Sequence, residues 1–238
     1  MRSKVGDTRP EVRPLWPAFA PYLAVSIFHV GVLACGAAGF AEVSKLALMP
    51  ALALALLWGW SRSGRGRSSV VGLLLAALFF AWLGDGAGTL FPYAPTVPLM
   101  LAFFGLAHLL YMWTFWRHLA LRGAPPWVWI FALWWLVLVI ALWAPAGPLA
   151  PAVTAYGVVL GGTAALATRC HRTLLCGGVF FLASDTVLAF RIFAPDLMPA
   201  WTSPLVMLTY TLGQGLIVAG ALLTLRRPHA AVVKASMQ

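Results

Sequence analysis

Along this chain, long apolar runs are cut at short intervals by Gly, Pro, Arg and Lys. The cuts define eight candidate helices, at about 21–40, 46–60, 69–90, 97–116, 127–144, 149–168, 174–194 and 202–225. Crossing the hydrocarbon core of a bilayer takes roughly 20 apolar residues, a length that every run but the second reaches or approaches. Several of the breaks are marked by proline: Pro92, Pro95 and Pro98; Pro125 and Pro126; Pro145, Pro148 and Pro151; Pro195 and Pro199. They are too short to hold a separate domain. The expected architecture is an all-α membrane protein of eight transmembrane helices over 21–225, between an N-terminal tail at 1–20 and a C-terminal tail at 226–238.

Composition agrees with the pattern. Of 238 residues 62% are hydrophobic and 9% charged, with a mean hydropathy of +0.89, whereas a soluble domain carries about 25% charged residues. The formal charge of +10 would suggest nucleic acid in a soluble chain. In a membrane protein basic residues set orientation instead, so no nucleic-acid partner is expected. With the N-terminus placed in the cytoplasm, Arg2, Lys4, Arg9, Arg13, Arg62, Arg65, Arg67, Arg117, Arg122, Arg169, Arg172, Arg226, Arg227 and Lys234 all fall inside, and only Lys45 and Arg191 outside. The bias puts both termini in the cytoplasm and independently supports an even number of spans, in the cell membrane if the source is bacterial. The first 21 residues carry Asp7, Glu11 and four prolines and do not read as a signal peptide. The three cysteines, Cys35, Cys170 and Cys176, have no Cys-x-x-Cys spacing and read as small apolar residues. Tryptophans such as Trp58, Trp113, Trp116, Trp127, Trp129 and Trp143 gather near run ends, as an interfacial belt does.

Against this background the polar residues within runs stand out, because ionisable groups at membrane depth are costly. Asp85 lies late in the third run, His108 in the middle of the fourth and Asp185 near the middle of the seventh, with Tyr111, Ser184, Tyr210 and Gln214 as uncharged companions. His108 and Tyr111 are three apart and Tyr210 and Gln214 four apart, so each pair shares a helix face. Gly84, Gly88, Gly213 and Gly215 leave room for a neighbouring helix or a ligand. Convergence of these faces would give a polar pocket in the outer half of the membrane; the plain alternative is that the same groups only bond helices together. The two aspartates, with no Lys or Arg expected at their depth, argue for function. His29, among apolar neighbours, reads as structural. At the outer surface Glu42 and Lys45 read as an exposed pair, and Lys45 and Arg191 are the basic partners a phosphate headgroup would find there, or else snorkelling side chains.

The segments around Asp85 and Asp185 also echo each other: each is rich in Phe, carries one Asp and is followed by a returning run with a polar centre. The echo suggests two four-helix halves of the same topology; chance likeness of apolar segments accounts for it equally well.

The polar pattern resembles the YhhN-like lysoplasmalogenases. The matching pieces are Lys45 with Met49-Pro50, Gly84-Asp85, Gly105-Leu-Ala-His108-Leu-Leu-Tyr111, Ser184-Asp185-Thr-Val-Leu-Ala189, and Thr209-Tyr210 followed by Gln214-Gly-Leu-Ile217, in order from the second run to the eighth. One departure is Gly86-Ala87-Gly88-Thr89 after Asp85, where the family has apolar residues; the glycines are expected to open space beside the carboxyl. The resemblance implies a membrane hydrolase that cleaves the vinyl ether of a lysoplasmalogen, a lysophospholipid drawn from the surrounding membrane lipid, to a fatty aldehyde and a glycerophospho-alcohol.

That reaction begins with a proton placed on carbon and passes through an oxocarbenium-like cation. Two carboxyls suit it, one protonated and one charged, the division of labour that glycosidases use. Asp85, Asp185 and His108 are the catalytic candidates, with either Asp as the acid. Lys45, Tyr111, Ser184, Tyr210, Gln214 and Arg191 are the candidates for holding substrate, and Lys45 is expected to act mainly on binding. No cofactor or metal is called for: His29, His108 and the aspartates have no zinc-site spacing. A proton-coupled transporter or lipid flippase would also carry intramembrane Asp and His and remains the competing class.

Overall fold

The computed structural model describes residues 14–62 and 67–226. Most of both tails, with Arg2, Lys4, Arg9, Arg13, Arg227, His229 and Lys234, and the stretch 63–66 with Arg65 lie outside them. The described residues form helices α1 (Trp16–Ala34), α2 (Ala38–Ser61), α3 (Ser68–Asp85), the single turn α4 (Ala87–Leu90), α5 (Thr96–Thr114), α6 (Ile130–Ala146), α7 (Ala150–Ala167), α8 (Arg172–Phe193) and α9 (Thr202–Leu225).

Among the described residues seven helical stretches are long and apolar enough to cross a membrane: Trp16–Ala34, Gly39–Ser61, Ser68–Asp85, Thr96–Leu119, Pro126–Ala167, Arg172–Phe193 and Thr202–Leu225. The stretch Pro126–Ala167 has 42 residues, twice what a bilayer needs, and it doubles back. Gly147 turns the chain with φ of +52°, and the Trp135 indole of α6 donates to the Thr154 carbonyl of α7 at 3.0 Å. Gly157 and Gly161 of α7 make room for Trp135 and Trp134 across that hairpin.

Three element ends differ from the sequence expectation. The first helix begins at Trp16, inside the expected tail. The second begins at Ala38 rather than near 46, so Lys45 lies two turns within it. The third stops at Asp85, where Gly86 breaks the run expected to continue to 90.

Glycine governs the tightest packing. A Cβ on Gly177 would lie 2.6 Å from the backbone nitrogen of Ile217, and one on Gly213 would lie 2.8 Å from that of Phe181. The α8 and α9 backbones therefore touch directly, as small residues allow between membrane helices. Across α3 and α5, Gly84 accepts the ring of Phe104 in the same way.

Proline shapes α2. Pro50 has no N–H to give to the carbonyl of Leu46, its partner one turn back; the Trp82 indole of α3 donates to that carbonyl instead, at 3.0 Å. The substitution ties α3 to α2 close to Lys45.

The start of α1 and the ends of α2 and α9 share one face of the bundle: a Cβ on Gly59 would meet side chains of both Leu222 and Leu15. The same face carries Arg67, which donates to the His118 carbonyl, and Arg122, which donates to the Thr168 carbonyl. Arg62 and Arg117 lie over the rings of Trp58 and of Trp113 and Trp116, at 5.1 to 5.8 Å. Lys45 and Arg191 belong to the opposite half. Sorting of arginines beside tryptophans is the pattern of a membrane interface.

Candidate active site

Asp85 ends α3 with its carboxyl turned inward. Its side chain is 3% exposed, and the Nζ of Lys45, itself 31% exposed, stands 3.4 Å from Oδ1. The other oxygen, Oδ2, accepts from the hydroxyl of Tyr210 at 2.7 Å. Tyr210 in turn accepts from Gln214 Nε2 at 3.5 Å, and Gln214 Oε1 accepts from Tyr111 at 2.6 Å. The amide fixes the direction of this chain: from Tyr111 through Gln214 and Tyr210, every donated hydrogen points toward Asp85. A charge taken out of water needs partners, and Asp85 has a cation on one oxygen and a phenol on the other.

Asp185 has a different environment. It is half-buried on α8, accepts a hydrogen bond from the hydroxyl of Tyr156 on α7, and has no ion pair among the described residues. It lines a small apolar slot of about 40 Å³ between α5, α6, α7 and α8, together with Phe104, Leu138, Leu160, Val97, Val153 and Phe193. That volume holds a water or a few, since one water needs about 10–15 Å³ on this measure. No hydrogen bond joins Asp185 to Asp85, although each lies within electrostatic reach of the other.

His108 stands between the two arms. Its ring centre is 5.8 Å from that of Tyr156, 6.3 Å from that of Tyr111 and 4.6 Å from that of Phe181. Nδ1 is 3.1 Å from the Thr163 hydroxyl, whose own hydrogen goes to the Val159 carbonyl at 2.8 Å. Thr163 must therefore accept, so Nδ1 carries the hydrogen and Nε2 is a bare lone pair. Nε2 is buried and has no hydrogen-bond partner among the described residues.

The expectations for other residues come out differently. Lys45 pairs with Asp85 rather than with Glu42, because the earlier start of α2 carries it inward; Glu42 accepts from Thr89 at 3.4 Å. Among the described residues Asp185 is thus the carboxyl of the site without an ion pair, although Lys45 lies within its electrostatic reach. Ser184 is buried and donates to the Val206 carbonyl at 2.9 Å, a bond that fastens α8 to α9. Arg191 donates to the Thr202 hydroxyl and, at 3.4 Å, to the Pro199 carbonyl, closing the α8–α9 connection. His29 donates from Nδ1 to Ser44 at 2.8 Å, since the Ser44 hydrogen goes to the Phe40 carbonyl. The glycines after Asp85 do not open space beside it: a Cβ on Gly86 would meet Leu90 at 2.6 Å and Leu46 at 2.9 Å.

Three residues the sequence did not single out complete the arrangement. Tyr156 holds Asp185, Thr163 orients His108, and Phe104 lies against Gly84 while walling the slot of Asp185. For Tyr156 and Thr163 the available signal is the same as for the others, a polar side chain inside an apolar run; Phe104, apolar among apolar neighbours, carries none. Among the described residues no three His, Cys, Asp or Glu side chains gather as a metal site.

No curated protein and no solved structure matches the chain. The profile of the YhhN family does match, over residues 40–221, a stretch that holds both carboxyls, His108 and all three tyrosines of the site, and the chain belongs to that family.

Proposed function

We propose that this protein is a lysoplasmalogenase-like hydrolase of the membrane, with eight crossings when the two arms of the α6–α7 hairpin are counted separately and with both termini cytoplasmic. The observation that carries the reading is the unequal pair of carboxyls: Asp85 is held by Lys45 and Tyr210, whereas Asp185 has a phenol, no ion pair among the described residues and an apolar slot in front of it. Membership of the YhhN family supports the reaction class, and the arginine-rich face that carries both described chain ends supports the topology.

Asp185 is the proton donor in this reading and Asp85 the charged carboxylate. Asp185 delivers its proton to the vinyl carbon remote from oxygen, leaving an oxocarbenium ion between two carboxylates. Water adds to the cationic carbon and gives up a proton, either to Asp185 directly or through the lone pair of His108 Nε2. The hemiacetal then loses the bond between that carbon and the glycerol oxygen. Its hydroxyl proton passes to the departing oxygen, giving aldehyde and glycerophospho-alcohol with Asp185 reprotonated. Lys45 keeps Asp85 charged, and its exposed part remains open to a headgroup phosphate.

The test is aldehyde release from a lysoplasmalogen by the purified chain in lipid nanodiscs. Wild type should be active, and Asp85→Asn and Asp185→Asn should each lose about 10²-fold or more, the scale of general acid–base catalysis. Full activity in either variant sinks the pairing. Accumulation of intact lipid in vesicles without chemical change would replace the hydrolase by a transporter.

A further inference from the structure

We propose that the crevice between α5 and α7 binds the hydrocarbon chain of a single-chain lipid, and that Leu101 and Tyr156 form the partition across which that lipid meets Asp185. The proposal rests on the hydrolase reading for what happens at Asp185, but not for the binding itself.

The crevice has a volume of about 390 Å³, within the range of roughly 300–1,000 Å³ usual for ligand sites, and it lies on the outside of the bundle, where its lining residues Leu106 and Leu109 are exposed. It exists because small residues oppose each other there: Ala102 and Gly105 on α5, Ala152 and Ala155 on α7. A Cβ on Gly105 would meet nothing within 4 Å. From Pro98 to Leu109 the crevice follows α5 for about 16 Å at 1.5 Å per residue.

Its relation to the slot follows from the helix faces. On α5, Val97, Met100 and Phe104 face the slot, Pro98, Ala102 and Gly105 face the crevice, and Leu101 borders both. On α7, Val153 and Leu160 face the slot, Ala152 and Val159 the crevice, and Tyr156 borders both. Two side chains therefore separate a chain-sized apolar surface from a water-sized space, and one of them is hydrogen-bonded to Asp185.

Volume alone does not single out this crevice. The groove between α1 and α9 is larger, about 690 Å³, but its phenol, Tyr22, is bonded to a backbone carbonyl, that of Thr211, at 2.6 Å, whereas the phenol of the α5–α7 crevice is bonded to the carboxyl of Asp185. The α5–α7 crevice offers no polar group to a headgroup beyond the Tyr156 hydroxyl, which Asp185 already engages. Its occupant is hydrocarbon, and the headgroup lies toward the end where α5 begins.

The test uses the full chain in nanodiscs and a lysophosphatidylethanolamine with a diazirine at the end of its one chain, the crosslinks being mapped by mass spectrometry. Labels should fall on 98–109 and 152–159. They should drop at least about fivefold in Gly105→Leu, whose side chain enters open space, and also in Ala102→Leu, which stands in should the first variant unfold. Labels concentrated on α1 and α9, or undiminished in whichever variant folds, overturn the proposal. In the aldehyde assay, filling the crevice should raise KM for a long-chain lysoplasmalogen about tenfold at nearly constant kcat, the mark of lost ground-state binding. A short-chain substrate should be spared. Wild type that labels in the crevice but releases no aldehyde would remove the hydrolase reading and leave the binding site standing.

Discussion

Lys45 and Asp85, forty residues apart on neighbouring helices, form an ion pair of 3.4 Å in which the carboxylate is almost wholly buried and the ammonium partly open. Removing one member of a fully buried pair costs about 3–5 kcal/mol because the other charge is stranded; partial exposure of Lys45 reduces that figure. Lys45→Met should therefore lower both thermal stability and kcat, the latter by about tenfold or more. The double variant Lys45→Met/Asp85→Asn should unfold at a higher temperature than Lys45→Met alone, since no charge is left unpaired. If Lys45 served the headgroup only, the single variant would raise KM, keep kcat and leave the unfolding temperature where it was.

Thr163 offers a way to probe His108 without touching it. The Thr163 hydroxyl accepts from Nδ1 and so leaves Nε2 as the lone pair. Thr163→Val removes the acceptor and keeps the shape, so the imidazole loses the bond that sets its tautomer. Aldehyde release should fall about tenfold or more, within the span of general-base effects, and Thr163→Ser should restore most of it. Equal activity in the Val and Ser variants would mean that the tautomer of His108 does not matter.

The helices were readable because their hydrophobic length is set by the bilayer, and Asp85, Asp185, His108, Tyr111, Tyr210 and Gln214 drew notice because polar groups at that depth are rare. What the sequence hid was contact. Glu42 and Lys45 interrupt an apolar run, so the helix was expected to begin after them; its start at Ala38 changes the partner of Lys45 from Glu42 to Asp85. Gly86 lies in a short dip, Gly84-Asp85-Gly86-Ala87-Gly88-Thr89, and the apolar Leu90 and Phe91 beyond it make the run read on through a break that the helix takes at Asp85. Tyr156 is one phenol in a run of small apolar residues, and only the packing of α7 on α8 makes it the partner of Asp185. Ser184 adjoins Asp185 in sequence, yet the helix turns it the other way, to the Val206 carbonyl.

Cys170, in the turn between α7 and α8, is buried, and burial pushes its thiol up to about 12. The thiolate is the reactive form and is present above the pKa, so at pH 8 the Cys170 thiol is protonated as well as shielded. In a Cys35→Ser/Cys176→Ser variant, which leaves Cys170 as the single cysteine, maleimide should label the folded protein at least about tenfold more slowly than the same protein in denaturing detergent. Raising the pH from 7 to 9 should not remove that contrast. Rapid labelling of the folded protein would show that the turn opens.

The bond between Trp82 and Leu46 can be tested by compensation. Pro50 leaves the Leu46 carbonyl without its helical donor, and the Trp82 indole supplies one from α3 at 3.0 Å. Trp82→Phe keeps an aromatic ring but strands that carbonyl in an apolar environment, at a cost of about 1 kcal/mol by the usual worth of hydrogen bonds within membranes. Pro50→Ala restores an N–H one turn from Leu46 and so gives the carbonyl a donor within α2. In the Trp82→Phe background Pro50→Ala should therefore recover stability, measured by thermal unfolding in detergent. In the wild-type background the same change should recover less, because the carbonyl already has a partner. Additive effects of the two substitutions would mean that the indole and the missing proline hydrogen do not serve the same carbonyl. Because this bond lies one residue from Lys45, its loss should also lower kcat through the Lys45–Asp85 pair, and Pro50→Ala should return stability more fully than it returns turnover.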